Sequence, residues 1–167
     1  MQAKVWVALG IGSNMGDREA ELQSAVVFLR GKLSSMACSS VYSSSPLGFI
    51  SENFFLNAVV LGLTDLVAEE LLAECLAYEL SRGRRRLSNG YADRQIDIDL
   101  VFYGSRKCVS EKLTLPHPKW NERDFVFEPL REVLTRDGME QLGSIFPAMP
   151  SPSPEANVKK VLRPLCI

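Results

Sequence analysis

Apolar residues recur along this chain with two different periods, and the switches between them mark its elements. Val5 to Ile11 ("VWVALGI") is an apolar, β-branched run bounded by glycine, which predicts a central strand. From Asp17 to Leu33 the spacing becomes helical. Leu22, Ala25, Val26 and Leu29 share one stripe, and Asp17, Glu19 and Glu21 lie near the positive N-terminal end. Met36 to Ser45 reads as a serine-rich strand stopped by Pro46-Leu47-Gly48, and Phe54 to Leu63 ("FFLNAVVLGL") as another. Asp65 and Glu69-Glu70 open a second helix whose stripe is Leu72, Cys75, Leu76 and Glu79, and which runs into Gly83.

Between Gly83 and Asp93 ("GRRRLSNGYAD") both periods vanish, and the polar, basic, glycine-containing stretch predicts a mobile loop. Alternation then returns: Ile96, Ile98, Leu100 and Phe102 are interleaved with Asp97, Asp99 and Val101, the pattern of a half-buried strand. A short hairpin region reaches Leu115. Pro116, Pro118 and Asn121 mark a loop, and Phe125 to Leu134 restarts helical spacing. The order β-α-β-β-α-β predicts an α+β fold, a ferredoxin-like sandwich with helices on one face of a mostly antiparallel sheet. One domain is expected over 1–146. The Pro/Ser-rich remainder, 147–167, is expected to wrap or dangle, or to link to another domain.

At 167 residues the chain is long enough to bury a core without staples. Its net charge of −1 argues against bulk nucleic-acid affinity and against attachment to an anionic membrane, so any cationic site must be local. Cys38, Cys75, Cys108 and Cys166 form no CxxC or Cys/His cluster; buried free thiols in a reducing compartment are expected, rather than a zinc site or disulfide scaffold. With no membrane-length apolar run and no signal-peptide layout at the N-terminus, the sequence reads as cytoplasmic.

Two aspartates on one strand raise the chemical question. Asp97 and Asp99 point to the same face, roughly 6.6–6.8 Å apart along the strand. Such a pair is either a solvated outer face or a seat for Mg²⁺, which takes one or two carboxylates plus phosphate oxygens. "LGIGSNMGD" (Leu9 to Asp17) invites a phosphate-loop reading, but it lacks the lysine of a Walker loop and has GxGxxxG spacing, so a tight strand-to-helix turn accounts for it better. Phosphates would then need side chains. Arg82, Arg84, Arg85, Arg86, Arg94, Lys112, His117 and Arg123 supply them, many in the loop that feeds the aspartate strand; the bland alternative is a solvated basic patch. Glu79 sits on an apolar stripe and needs a partner, for which an arginine of the adjacent loop is the economical choice. Asn57, inside an apolar strand, is either a satisfied core amide or a donor–acceptor pair for a heterocycle edge.

Together these pieces resemble 6-hydroxymethyl-7,8-dihydropterin pyrophosphokinases of folate biosynthesis. "ALGIGSNMGD", "SSVYSSSPLG", "NFFLNAVVLGL", "EELLAECLAYELSRGRRR", "DRQIDIDLVFYG" and "LTLPHPKWNERDFVFEPL" stand in the family's order and spacing. The resemblance implies that Asp97 and Asp99 hold two Mg²⁺ ions on ATP. It implies that Arg84, Arg94, His117 and Arg123 contact the triphosphate, with Arg84 and Arg94 catalytic, and that Arg86 and Tyr91 lie on a loop that closes over it. Lys112, Thr114 and the backbone near Leu100 would hold the nucleoside, with Glu79 close by. Ser44, Ser45, Leu47 and Asn57 would grip the pterin, sandwiched between Phe55 and Phe125. The family's usual Trp-Gly-Pro-Arg reads Tyr91-Ala92-Asp93-Arg94 here, its Thr-Pro is Ser44-Ser45, and the aromatic often found after its histidine is Pro118. The implied reaction moves a pyrophosphoryl group from ATP to the hydroxymethyl oxygen and releases AMP, with neighbouring folate-pathway enzymes as potential partners. Two rivals remain at this point: an Mg-ATP phosphotransferase with another acceptor, and a non-catalytic RNA-binding module. The second expects an aromatic sheet face and a basic surface, which the sequence does not display.

Overall fold

The computed structural model describes residues 2–45, 52–83, 93–136, 138–149 and 158–165. Its elements are β1 (Val5–Ser13), α1 (Arg18–Arg30), β2 (Ser34–Cys38), β3 (Val41–Ser44), β4 (Phe55–Thr64), α2 (Ala68–Ser81), β5 (Asp97–Tyr103), β6 (Cys108–Val109), β7 (Thr114–Leu115), α3 (Asp124–Leu134) and β8 (Val158–Leu162). The main sheet runs β5-β1-β4-β3-β8, with β2 also on β4, and β6–β7 form a separate small ribbon. Every described pairing is antiparallel. This is the expected α+β sandwich. No helix among the described residues is long and apolar enough to cross a membrane.

The first helix begins where its chemistry dictates: the Asp17 carboxylate accepts from the Ala20 N–H at 3.1 Å, capping α1. Gly16, at φ +65°, makes the turn that precedes it, so the glycine-rich stretch is a strand end and a tight turn. Leu22, Ala25, Val26 and Leu29 of α1 join Leu71 and Cys75 of α2 over Leu9, Ile11, Ile98 and Leu100 in one core. Burial pushes the Cys75 thiol up to about 12, with Glu79, Glu74 and Asp99 adding to the effect. The start of α1 is tied to the end of α2 by Arg82, whose Nε and Nη2 donate to the two Glu21 oxygens at 3.1 and 2.5 Å.

Helices on a single face were expected, and only α1 and α2 fit. The third helix covers the opposite face, where Val126, Phe127, Leu130 and Val133 pack with Val59, Leu61, Val101, Phe102 and Trp120. The reason lies in β4 and β5: an antiparallel sheet whose residues are apolar on both faces must be covered on both.

The predicted strand from Met36 to Ser45 divides in two at Ser39-Ser40. There the Ser39 hydroxyl, rather than a backbone carbonyl, accepts from the Val59 N–H at 2.9 Å. The Ser40 N–H and hydroxyl instead donate to Glu132 of α3, at 2.9 and 2.7 Å. The same carboxylate accepts from the Tyr42 hydroxyl at 2.7 Å and from Arg136 Nη2 at 2.7 Å. Burial favours the protonated form of Glu132, but these hydrogen bonds and Lys160 outweigh it and hold the carboxyl below its ordinary range. Part of the tail wraps rather than dangles: β8 adds an edge strand to β3, with Lys160 opposite Tyr42. Cys38, expected as a free thiol, is disulfide-bonded, whereas Cys75 and Cys108 are free. Cys38 has no CxxC neighbour, so the sequence carries no spacing signature for its bridge.

Candidate active site on the α3 face of the sheet

Strand register brings the candidate residues into rows. Asp97 of β5 pairs with Gly12 of β1, and Gly12 pairs with Asn57 of β4; Asp99 pairs with Gly10. Residues paired across antiparallel strands share a face, so Asp97, Asp99 and Asn57 all rise from the α3 side. Two strand spacings, roughly 10 Å, separate the carboxylates from the amide. Gly12 between them presents no side chain. A Cβ there would stand 2.6 Å from Asn57 Oδ1, so only glycine leaves the amide where it is.

The Asn57 end is buried and polar. Asn57 Nδ2 donates to the Ser44 hydroxyl at 2.8 Å, both residues being almost wholly buried, and Phe55 pairs with Ser44 across the strands. Ser45 follows directly at the end of β3.

At the other end, Arg94 donates to Asp97 Oδ2 at 3.0 Å, and its guanidinium carbon lies 5.6 Å from the Phe55 ring centre. One arginine therefore touches both ends of the site. The Arg123 guanidinium lies 5.7 Å from the Phe125 ring centre, at the start of α3, and its Nε is buried with no hydrogen-bond partner among the described residues. A buried donor without an acceptor is a cost that an incoming anion would remove.

Beyond the β5 edge lies a cleft of about 280 Å³ lined by Leu76, Glu79, Asp99, Leu100, Lys112, Thr114 and His117. It gathers every residue the sequence assigned to the nucleoside side. Glu79, only 2% exposed, accepts from the Ile98 N–H of the edge strand at 2.7 Å. Burial, then the Arg123 charge, hold the His117 imidazole below its ordinary range, with Asp97 pulling the other way. His117 Nδ1 accepts from the Lys119 N–H at 3.3 Å, which leaves Nε2 as the proton-bearing nitrogen of the neutral ring.

Arg84, Arg86, Tyr91 and Leu47 lie outside the described residues, as does most of the segment expected to be a mobile loop. Asn14 is a residue the sequence reading passed over. It is 2% exposed, and its side chain ties the β1–α1 turn to Arg94: Oδ1 accepts from the Arg94 N–H at 2.7 Å. Its position directly after a strand, in a motif already singled out, was the available signal.

Oxygen ligands on one face fit a hard divalent cation. Asp97 and Asp99 are both half-buried, yet no group of three or more His, Cys, Asp or Glu gathers among the described residues. A two-carboxylate seat suits Mg²⁺ that shares its remaining coordination with substrate phosphates, and does not suit a structural zinc.

One side of this ferredoxin-like sheet thus carries two carboxylates and a buried amide, with the Arg94 and Arg123 guanidiniums against Phe55 and Phe125. The chain belongs to the 7,8-dihydro-6-hydroxymethylpterin-pyrophosphokinase family, whose model matches residues 8–135. It is 40% identical over 131 residues to a 2-amino-4-hydroxy-6-hydroxymethyldihydropteridine pyrophosphokinase of Porphyromonas gingivalis, covering 76% of this chain and 89% of that one. The enzyme of the same name from Aquifex aeolicus is 33% identical over 160 residues, 96% of this chain and 95% of its own length. A folate synthesis bifunctional protein of Arabidopsis thaliana is 33% identical over 80% of this chain, which spans 28% of that protein. The Plasmodium falciparum HPPK-DHPS crystal structure with pterin and p-hydroxybenzoate shares the fold, with a TM-score of 0.56 at 14% identity, over 83% of this chain and 40% of that one.

Proposed function

We propose that this chain transfers the pyrophosphoryl group of Mg-ATP to the hydroxymethyl group of 6-hydroxymethyl-7,8-dihydropterin and releases AMP. The coarser part follows from the family: this is a pyrophosphokinase of folate synthesis. The observation that carries the finer part is the row Asp97–Gly12–Asn57, with Arg94 reaching from Asp97 to Phe55. It supports a reading in which nucleotide phosphates and acceptor ring lie side by side over one glycine.

Asp97 and Asp99 hold the metal. When bound, Mg²⁺ supplies charge neutralisation for the triphosphate and for the leaving oxygen. The protein's own groups position the rest. Asn57, held by Ser44, offers an amide edge to the pterin, and Ser45, Leu47, Phe55 and Phe125 complete its slot. Lys112, Thr114, Leu100 and Glu79 line the nucleoside side, while Arg84, Arg86, Tyr91, His117 and Arg123 serve the phosphates. The hydroxymethyl oxygen forms its bond to the β-phosphorus as the bond from that phosphorus to the α,β-bridging oxygen breaks. The electron pair leaves on AMP, and the hydroxyl proton is lost to solvent. Arg84 and Arg94 stabilise the charge that develops on that oxygen, so catalysis is positioning plus electrostatics. Bifunctional relatives in which such a domain adjoins another folate enzyme support a neighbouring folate-pathway protein as partner.

Titrating 6-hydroxymethylpterin into the protein, read by pterin fluorescence, tests the assignment. Binding is expected with a non-hydrolysable Mg-ATP analogue present and is expected to weaken when chelator removes the metal. Pterin affinity indifferent to both nucleotide and metal would refute it.

A further inference from the structure

Asp93 stands where the family usually has proline, immediately before Arg94, where an added negative charge looks misplaced beside a phosphate-binding arginine. Its carboxylate is turned elsewhere. Oδ1 accepts from Asn14 Nδ2 at 2.7 Å and Oδ2 accepts from Asn53 Nδ2 at 3.2 Å. Asn14 Nδ2 also donates to the Asn53 carbonyl at 3.3 Å, and the Asn14 N–H donates to the Arg94 carbonyl at 3.1 Å. Because Asn14 Oδ1 accepts from the Arg94 N–H, the orientation of that amide is fixed by a backbone donor.

We propose that Asp93 is a positioning residue: with Asn14 and Asn53 it forms a clasp that fixes the backbone of Arg94 against the loop entering β4. The clasp joins three segments distant in sequence, the β1–α1 turn, the residues before Phe55, and the residues before β5. Arg94 and Phe55 are themselves 5.6 Å apart, guanidinium carbon to ring centre, so the clasp sets the spacing of a pair that serves phosphate and pterin. Proline at this position has no acceptor to offer either amide; a carboxylate offers one oxygen to each. The inference rests on the function proposed above for Arg94 and Phe55, but the clasp itself does not.

Exchanging the partners tests it. Asp93→Ala removes both acceptors, and Asn53→Asp sets two carboxylates together. The double exchange, Asp93→Asn with Asn53→Asp, restores a donor facing an acceptor across the 93–53 contact and keeps an acceptor for Asn14. In the ligand-free protein, each single variant is expected to speed hydrogen exchange at the Arg94 amide by about five- to tenfold, the range that loss of one hydrogen bond carries. Each is also expected to lower kcat by about the same factor while the KM for ATP moves by less than about threefold, because Arg94 acts on charge that develops in the reaction. The double variant should return within about threefold of the parent in both readouts. Single variants with parental exchange and parental kcat, or a double variant no better than the worse single, would overturn the clasp. Altered exchange with parental kcat would overturn its positioning role. A parent protein with no pterin-dependent turnover would sink the proposed function instead, and the exchange pattern would still decide whether the clasp exists.

Discussion

Gly12→Ala separates a functional amide from a merely satisfied one. The added Cβ would lie 2.6 Å from Asn57 Oδ1, and ordinary contact begins near 3.4 Å, so the amide must retreat by about 0.8 Å. Gly12 and Ser44 flank β4 on opposite sides, so the retreat drives the amide against the Ser44 hydroxyl, already at 2.8 Å, and the amide must rotate out of that hydrogen bond. That bond is worth about 1 kcal/mol of stability, and replacing glycine by alanine in an extended backbone returns about 0.4–1 kcal/mol through the unfolded chain. Net stability should therefore stay within about 1 kcal/mol of the parent. Pterin binding has no such compensation. Misplacing one buried amide costs about 1–3 kcal/mol, roughly a 5- to 150-fold rise in pterin Kd. Gly10→Ala is the steric control, since its Cβ would meet only Val101 and Val126 at 3.8 and 4.0 Å. Fluorescence titration of pterin and urea denaturation of both variants give the answer. Pterin Kd unchanged in Gly12→Ala, or lost only in step with global unfolding, would refute the role given to Asn57.

Asp97→Asn and Asp99→Asn should each abolish most Mg²⁺-dependent turnover. In metal-free urea titrations Asp97→Asn should lose about 1 kcal/mol through its bond to Arg94, a partly buried pair; turnover retained in both variants would make the aspartates structural. His117, whose folded pKa is lowered, should make stability fall as pH drops from about 6.5, because the unfolded chain takes up the proton first. His117→Asn should flatten the slope of stability between about pH 6.5 and the depressed pKa, and slopes that match the parent's would show that the buried imidazole is not responsible.

Much of this site was legible from where polar residues fall in the strand patterns. Asp97 and Asp99 put two like charges on one face of an alternating strand, and Asn57 interrupts the apolar run "FFLNAVV". What depended on register was not legible. That Gly12 lies between Asp97 and Asn57 follows only once β1 is known to pair with both β4 and β5 at those positions. Glu132 looks like an ordinary surface carboxylate of α3 until β3 brings Ser40 and Tyr42 to it from about 90 residues away. The β8 strand, "VKKVL", is short and carries two lysines, so its pairing to an open edge gives almost no periodic signal. Asp93 was visible as a departure from the family. Its meaning was not, because two amides from other loops decide which way its carboxylate turns.

The central claim is that this sheet face directs attack at the β-phosphorus of ATP. The most direct test is to incubate the protein with ATP, Mg²⁺ and 6-hydroxymethyl-7,8-dihydropterin and to resolve the nucleotide products by chromatography. The account predicts AMP formed in a one-to-one ratio with pterin pyrophosphate, dependent on both metal and pterin. Stoichiometric ADP, or AMP whose formation does not require the pterin, would contradict it.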